Sequence, residues 1–228
     1  MSVAAVVPVV RAEQDGSPDA FGELRGLALL GHAIGAVTRA SLVDLVLVAT
    51  PPDDLEPVRA LLDRRQLSAQ CASESAAPST FAMARQAVTD LPAAVDIVLL
   101  HDATRPLVPP ELVDAVVREV RAGCDAVLPA MPVADTIKQS DANARVLRTV
   151  DRGTLRTAQS PRGFRREVLC KAYASEPDAS DTDELGLVRR VGGTVVTIPG
   201  AEEAFRVTGP ADLALADVFM SRRGDDRG

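Results

Sequence analysis

This chain predicts a three-layer α/β fold with a mostly parallel sheet, and three observations carry the expectation. Short apolar runs alternate with amphipathic stretches of helical length, which is the pattern of βαβ units. A chain of 228 residues at 46% hydrophobic content can bury one substantial core without disulfides. Right-handed crossovers then bring the loops that follow the strands to a single rim.

The elements follow in order. Val3–Val10 reads as the first strand and Leu27–Arg39 as the first helix; LVLVAT (45–50) and Leu55–Arg65 form the next pair. A short AQCA strand (69–72) precedes a helix over Phe81–Val88, and DIVLL (96–100) precedes one over Glu111–Arg121. DAVLPAMPV (125–133) is the fifth strand. The alternation then breaks at ADTIKQSDANARVLRT (134–149), where polar and β-branched residues flank a turn-rich SDANA, so a β-hairpin arm is expected to project from the core. A helix over Arg165–Tyr173, another after Thr182, a strand TVVTIP (194–199) and a short strand AFRVT (204–208) come next. The last helix carries Pro210 in its first turn, where the missing N–H costs nothing. SRRGDDRG, from Ser221, is polar and glycine-flanked, which gives one domain over 1–221 and a flexible tail over 222–228.

Charge and cysteine usage narrow the function classes. A formal net charge of −7 argues against general binding to nucleic acid or to an anionic membrane. The N-terminal apolar run is far too short to span a bilayer. Cys71, Cys124 and Cys170 are odd in number and scattered, with no CxxC or Cys/His spacing, so a reduced, cytoplasmic setting is expected and no protein-built metal site. Cys124 reads as a small core residue.

IVLLHDATRP (97–106) is the most informative stretch, because an apolar strand runs directly into a histidine, a carboxylate and an arginine. Ligands of open α/β sheets collect at the carboxyl ends of strands. Asp102 and Arg105 are therefore site candidates, with a strand-end ion pair as the plainer reading; His101, lacking a partner at catalytic spacing, reads as structural. The first strand should open a phosphate cradle by the same reasoning, but it leads into RAEQDG (11–16).

HDATRP (101–106), PVADTIK (132–138), VDRGTL (150–155), QSPRGF (159–164), DTDEL (181–185) and AFRVT (204–208) occur in that order, and together the chain resembles the 2-C-methyl-D-erythritol 4-phosphate cytidylyltransferase family. The resemblance implies a Rossmann-like nucleotidyltransferase core, a homodimer built through the β-arm, CTP with Mg2+, and a small phosphorylated polyol as acceptor. It assigns substrate binding to Asp102, Arg105, Thr136, Arg152, Ser160 (for a threonine) and Thr182, with Asp183 beside it. Arg206 replaces a lysine and Arg25 falls near a second one, which makes both catalytic candidates. Thr182 and Asp183 also suit a helix start. Arg152 stands either in a dimer-interface ion pair or in a neighbouring subunit's pocket, and Lys138 reads as an ordinary hairpin residue.

The nucleotide side departs from the family pattern. Where the family has VPAAGxGxR, this chain keeps Val7 and Pro8 and continues Val9, Val10, Arg11, Ala12, Glu13, Gln14, Asp15, with carboxylates in place of glycine and arginine. Where the family has GGxxR before a hydroxyl residue, this chain has Ser73, Glu74, Ser75, Ala76 and Ala77, with Thr80 in the hydroxyl position. The corresponding nucleotide contacts are Pro8, Val9, Val10, Ser75 and Thr80. Three readings follow: a cytidylyltransferase with an unusual donor loop, a catalytically inactive dimeric homologue with a binding or regulatory role, and a nucleotidyltransferase of altered specificity.

Overall fold

The computed structural model describes residues 1–9, 19–73, 79–175 and 183–225. Its centre is an eight-stranded sheet. Strand β1 (Ser2–Pro8) pairs in parallel with β4 (Leu45–Thr50) on one side and with β6 (Val95–Leu100) on the other, and β5 (Gln70–Ser73) extends the β4 side. Beyond β6 the order continues through β11 (Arg162–Arg165) to β7 (Ala126–Pro132). One edge of β7 is shared end to end by β11 and β10 (Arg156–Ala158), both antiparallel to it, while β12 (Val195–Pro199) lies parallel along its other edge.

The near-continuous apolar run of β1 follows from burial on both faces, as parallel sheets require. Val3, Ala5 and Val7 face one core layer together with Ile97 and Leu99 of β6, packed beneath α1 (Leu29–Thr38), α2 (Leu55–Arg65) and α4 (Pro110–Arg121). Ala4 and Val6 face the other with Val98 and Leu100, covered by α3 (Thr80–Asp90), α5 (Arg166–Ser175) and α6 (Glu184–Arg190). Alternation along each strand thus fills two cores from one sheet. Gly163 lets β11 pass under α4, since a Cβ there would sit 2.4 Å from Val116 Cγ1.

Several elements differ from the sequence reading for identifiable reasons. Residues 23–28 form a small hairpin, β2 (Glu23–Leu24) and β3 (Leu27–Ala28), so α1 starts two residues late. Its turn places Arg25 at φ 51° and Gly26 at φ 71°. The strand pair around Ser160 and Pro161 does not emerge from QSPRGF because each half is only three or four residues long. AFRVT is not a strand: a 3₁₀ turn over Glu202–Ala204 leads into extended backbone that crosses the rim, held by the Val207 N–H on the Thr104 carbonyl at 2.8 Å. The final helix, α7 (Pro210–Asp225), continues past Ser221. The arm is β8 (Lys138–Ser140) paired with β9 (Val146–Thr149), shorter than the 134–149 span but antiparallel as expected. Among the described residues no helix is long and apolar enough to cross a membrane.

Candidate functional site

A cavity of about 570 Å3 opens at the carboxyl ends of β1 and β6. Here the connection leaving β1 runs toward β4 on one side while that leaving β6 runs toward β7 on the other, the switch point at which open α/β sheets bind ligands. Pro8 at the end of β1, Thr80 and Phe81 in the first turn of α3, and His101, Asp102 and Arg105 after β6 line it. Ser160, Arg162, Asp183, Glu184 and Arg206 complete the polar wall.

Asp102 organises this wall. Its Oδ1 accepts from the Thr104 N–H at 2.9 Å and hydroxyl at 2.7 Å; its Oδ2 lies 2.8 Å from Arg206 Nε, 2.7 Å from Arg206 Nη2 and 3.6 Å from Arg105 Nε. Burial alone would raise the Asp102 carboxyl, but Arg206 and the Thr104 bonds outweigh it and hold the group below the ordinary carboxylate range. Arg105 is itself anchored, donating from Nη1 to the Ala204 carbonyl at 2.5 Å and from Nη2 to the Ala158 carbonyl at 3.1 Å. The segment carrying Arg206 is held from below by Gln159, whose amide bonds both the Ala201 carbonyl (2.7 Å) and the Ala201 N–H (3.0 Å). Gly200 permits that approach, because a Cβ would meet Gln159 Oε1 at 2.1 Å.

His101 is fully buried, and burial pushes its imidazole down to about 4 despite the opposing Asp102 charge, so the ring is neutral at pH 7. Its Nδ1 lies 2.9 Å from Ser160 Oγ, which also accepts from the Asp102 N–H at 2.9 Å. Ser160 thereby ties the strand-end backbone to the β10–β11 junction. That is a structural role for His101, as its position after an apolar strand suggested.

The structure therefore brings Pro8, Thr80, Asp102, Arg105, Ser160 and Arg206 to one cavity. Val9 is buried beside it, its N–H bonded to the Ala49 carbonyl at 2.8 Å. Arg25 does not line the cavity: at the tip of the β2–β3 turn it pairs with Asp217 and Ser221 of α7, because the chain turns back there before α1. Thr136 and Arg152 are exposed on the approach to and exit from the arm; Arg152 bonds the Ala134 carbonyl, and neither residue lines the cavity of its own subunit. Val10, Ser75 and Thr182, together with Glu13 and Asp15, lie outside the described residues. Asp183 caps α6, accepting from the Gly186 N–H at 2.9 Å. Arg162 and Glu184 were missed as site residues, although QSPRGF and DTDEL contain them. Among the described residues no cluster of three or more metal-ligating side chains occurs.

A half-buried, arginine-rich cavity at the switch point of a Rossmann-like sheet defines a protein that handles anionic, phosphate-bearing ligands. The family model described as IspD, 2-C-methyl-D-erythritol 4-phosphate cytidylyltransferase, matches residues 3–222. Relatives of that name from Frankia casuarinae and Saccharopolyspora erythraea are 45% and 39% identical over 96% and 97% of this chain, and over 82% and 100% of their own lengths. The solved structure of the Thermus thermophilus cytidylyltransferase of that name superposes with a TM-score of 0.79 at 29% identity, covering 97% of this chain and 100% of that one. This chain belongs to the 2-C-methyl-D-erythritol 4-phosphate cytidylyltransferase family.

Proposed function

We propose that this protein transfers a cytidylyl group from CTP to 2-C-methyl-D-erythritol 4-phosphate and releases pyrophosphate, a step of isoprenoid precursor synthesis. The observation that carries the reading is the pairing of Arg105 and Arg206 on the single Asp102 carboxylate at the cavity wall, in a chain of this family.

In such a transfer an acceptor phosphate oxygen forms a bond to the α-phosphorus of CTP while the bond to the β-phosphate oxygen breaks. Three anionic groups must be held in line and their charge screened. A phosphate monoester loses its second proton near pH 6, so the nucleophile needs no general base at neutral pH. The neutral His101, with Nδ1 engaged by Ser160, suits a site with no such demand. Arg206, 52% exposed at its side chain, is the cation free to follow charge building on the transferring phosphoryl, and Asp102 keeps it at the cavity mouth until an anion competes. Mg2+ fits this donor set as a companion of the triphosphate: Asp102 is already saturated by its neighbours, so phosphate oxygens and water would supply most of the metal's ligands.

The arm supports a homodimer, since Val146 and Leu147 are 64% and 60% exposed at its tip. In that assembly Thr136 and Arg152 would face a neighbouring subunit. The three free cysteines suit the reducing cytoplasm.

Pyrophosphate release is the deciding measurement, with CTP, UTP, ATP and GTP each paired with 2-C-methyl-D-erythritol 4-phosphate and Mg2+. CTP-dependent release that requires the acceptor is expected. Release with another nucleotide would indicate altered specificity, and none with any nucleotide would overturn the catalytic reading.

A further inference from the structure

Arg162 takes no part in the chemistry above, yet it is the third guanidinium on the cavity wall. It opens β11 two residues after Ser160, so the backbone that sets Ser160 also sets Arg162. Its Nη1 lies 2.7 Å from Glu184 Oε2 and 3.8 Å from Asp183 Oδ2. The Glu184 side chain is only 5% exposed, and a carboxylate that deep needs a cation beside it. Asp183 is engaged elsewhere through Oδ1, which caps α6.

The contact given for each acid is made by the same nitrogen, Nη1. A guanidinium carries five N–H donors, and among the described residues those on Nε and Nη2 of Arg162 make no hydrogen bond, while the side chain keeps 28% of its exposure. Neighbouring charge adds a second indication. Burial lowers the Arg105 guanidinium most, Asp102 raises it, and Arg206 and Arg162 each lower it further, as nearby like charges do. Neutralising Glu184 would need one cation facing inward; a cation that also repels Arg105 across a cavity is relieved when an anion sits between them.

We propose that Arg162 is a ligand-contacting, specificity-determining residue that shares the phosphoryl group of the acceptor with Arg105, while Glu184 is the positioning residue that aims it. The inference rests on the acceptor reading above and deepens it. A planar fork held at one end presents its other edge to a tetrahedral anion, which an ammonium cannot reproduce.

Titration calorimetry of the full chain with 2-C-methyl-D-erythritol 4-phosphate, with its dephosphorylated polyol, and with CTP and Mg2+ tests this. R162Q is paired with the R162Q/E184Q double variant, which leaves no buried carboxylate without a cation and protects against a folding failure. In both variants the preference for the phosphorylated over the dephosphorylated acceptor should fall roughly 10- to 100-fold, as for a lost charge-assisted hydrogen bond, with CTP affinity unchanged. R162K should recover part of that preference. The acceptor KM should rise with little change in kcat, a split that general loosening of the site would not produce. Unchanged acceptor preference in the double variant, or a loss confined to CTP, would overturn the assignment of Arg162. Failure of the parent protein to bind the phosphorylated acceptor at all would overturn the acceptor reading itself.

Discussion

Replacing Asp102 with alanine removes the group on which the cavity wall converges, and the cost can be worked from its neighbours. Truncating one member of a fully buried charge pair costs about 3–5 kcal/mol, because the other charge is stranded. Arg206 is 52% exposed and rehydrates readily, so its share of that cost is small. Arg105, at 13% side-chain exposure, does not, although its bonds to Ala204 and Ala158 remain. Thr104 loses two bonds, each worth about 1 kcal/mol. The expected destabilisation is therefore about 2–3 kcal/mol, and for a chain of 228 residues it should lower Tm by roughly 4–12 °C. Scanning calorimetry of parent and D102A at pH 7 without ligand reads this directly. The pH dependence has a definite sign: the native carboxyl titrates below its unfolded value, so its contribution is complete above about pH 4 and is lost as pH falls through the native value. The two melting curves should converge in acid. A D102A protein that melts within about 1 °C of the parent at pH 7 would refute the role given to this carboxylate.

Three further outcomes are expected. The unfolded chain takes up a His101 proton near pH 6.5 that the native ring accepts only near 4, so acidification across that window should cost up to about 3 kcal/mol; H101Q should flatten the stability profile between those values, as pH-dependent melts would reveal. At the opposite rim, Arg166 donates to the Leu91 and Pro92 carbonyls at 2.6 Å each and to those of Val88, Thr89 and Val95 at 3.4–3.5 Å, capping the end of α3; R166A should lower stability by about 2 kcal/mol while leaving CTP and acceptor affinities unchanged in calorimetric titrations. In the arm, V146D/L147D should convert a sedimenting dimer to a monomer with unchanged far-UV circular dichroism, and a parent protein that sediments as a monomer at micromolar concentration would remove the arm's proposed role.

Much of this fold was readable because its core obeys periodicity. β1, β4 and the Ile97–Leu100 part of β6 are near-continuous apolar runs buried on both faces, and α4 shows a clean apolar stripe from Leu112 to Val120, so their position and type follow from residue order alone. What escaped is short or determined by partners distant in sequence. β10 and β11 hold only three and four residues, and their pairing with β7 and β6 depends on strands far upstream. The β2–β3 hairpin turns on two residues at positive φ, Arg25 and Gly26, of which only glycine announces that conformation. Motif alignment alone makes Arg25 a stand-in for a lysine, and it carries no information on which way that turn directs the side chain.

The site divides along the same line. Asp102 and Arg105 were legible because they follow a strand directly, and Arg206 because AFRVT matched a motif, but their mutual geometry belongs to tertiary structure: a segment beginning near Gly200 must cross the rim and be caught by Gln159 before Arg206 can reach Asp102. Arg162 shows the opposite case. It stood inside a recognised motif, yet in sequence nothing separates it from an exposed strand arginine. Only the burial of Glu184, set by α6 packing against α5, gives a cation at that position a buried partner, on a residue that also lines the cavity. On the proposed reading, ligand recognition would be assembled from one strand-end cluster, visible in sequence, and one ion pair whose meaning depends on how deeply its acid is buried.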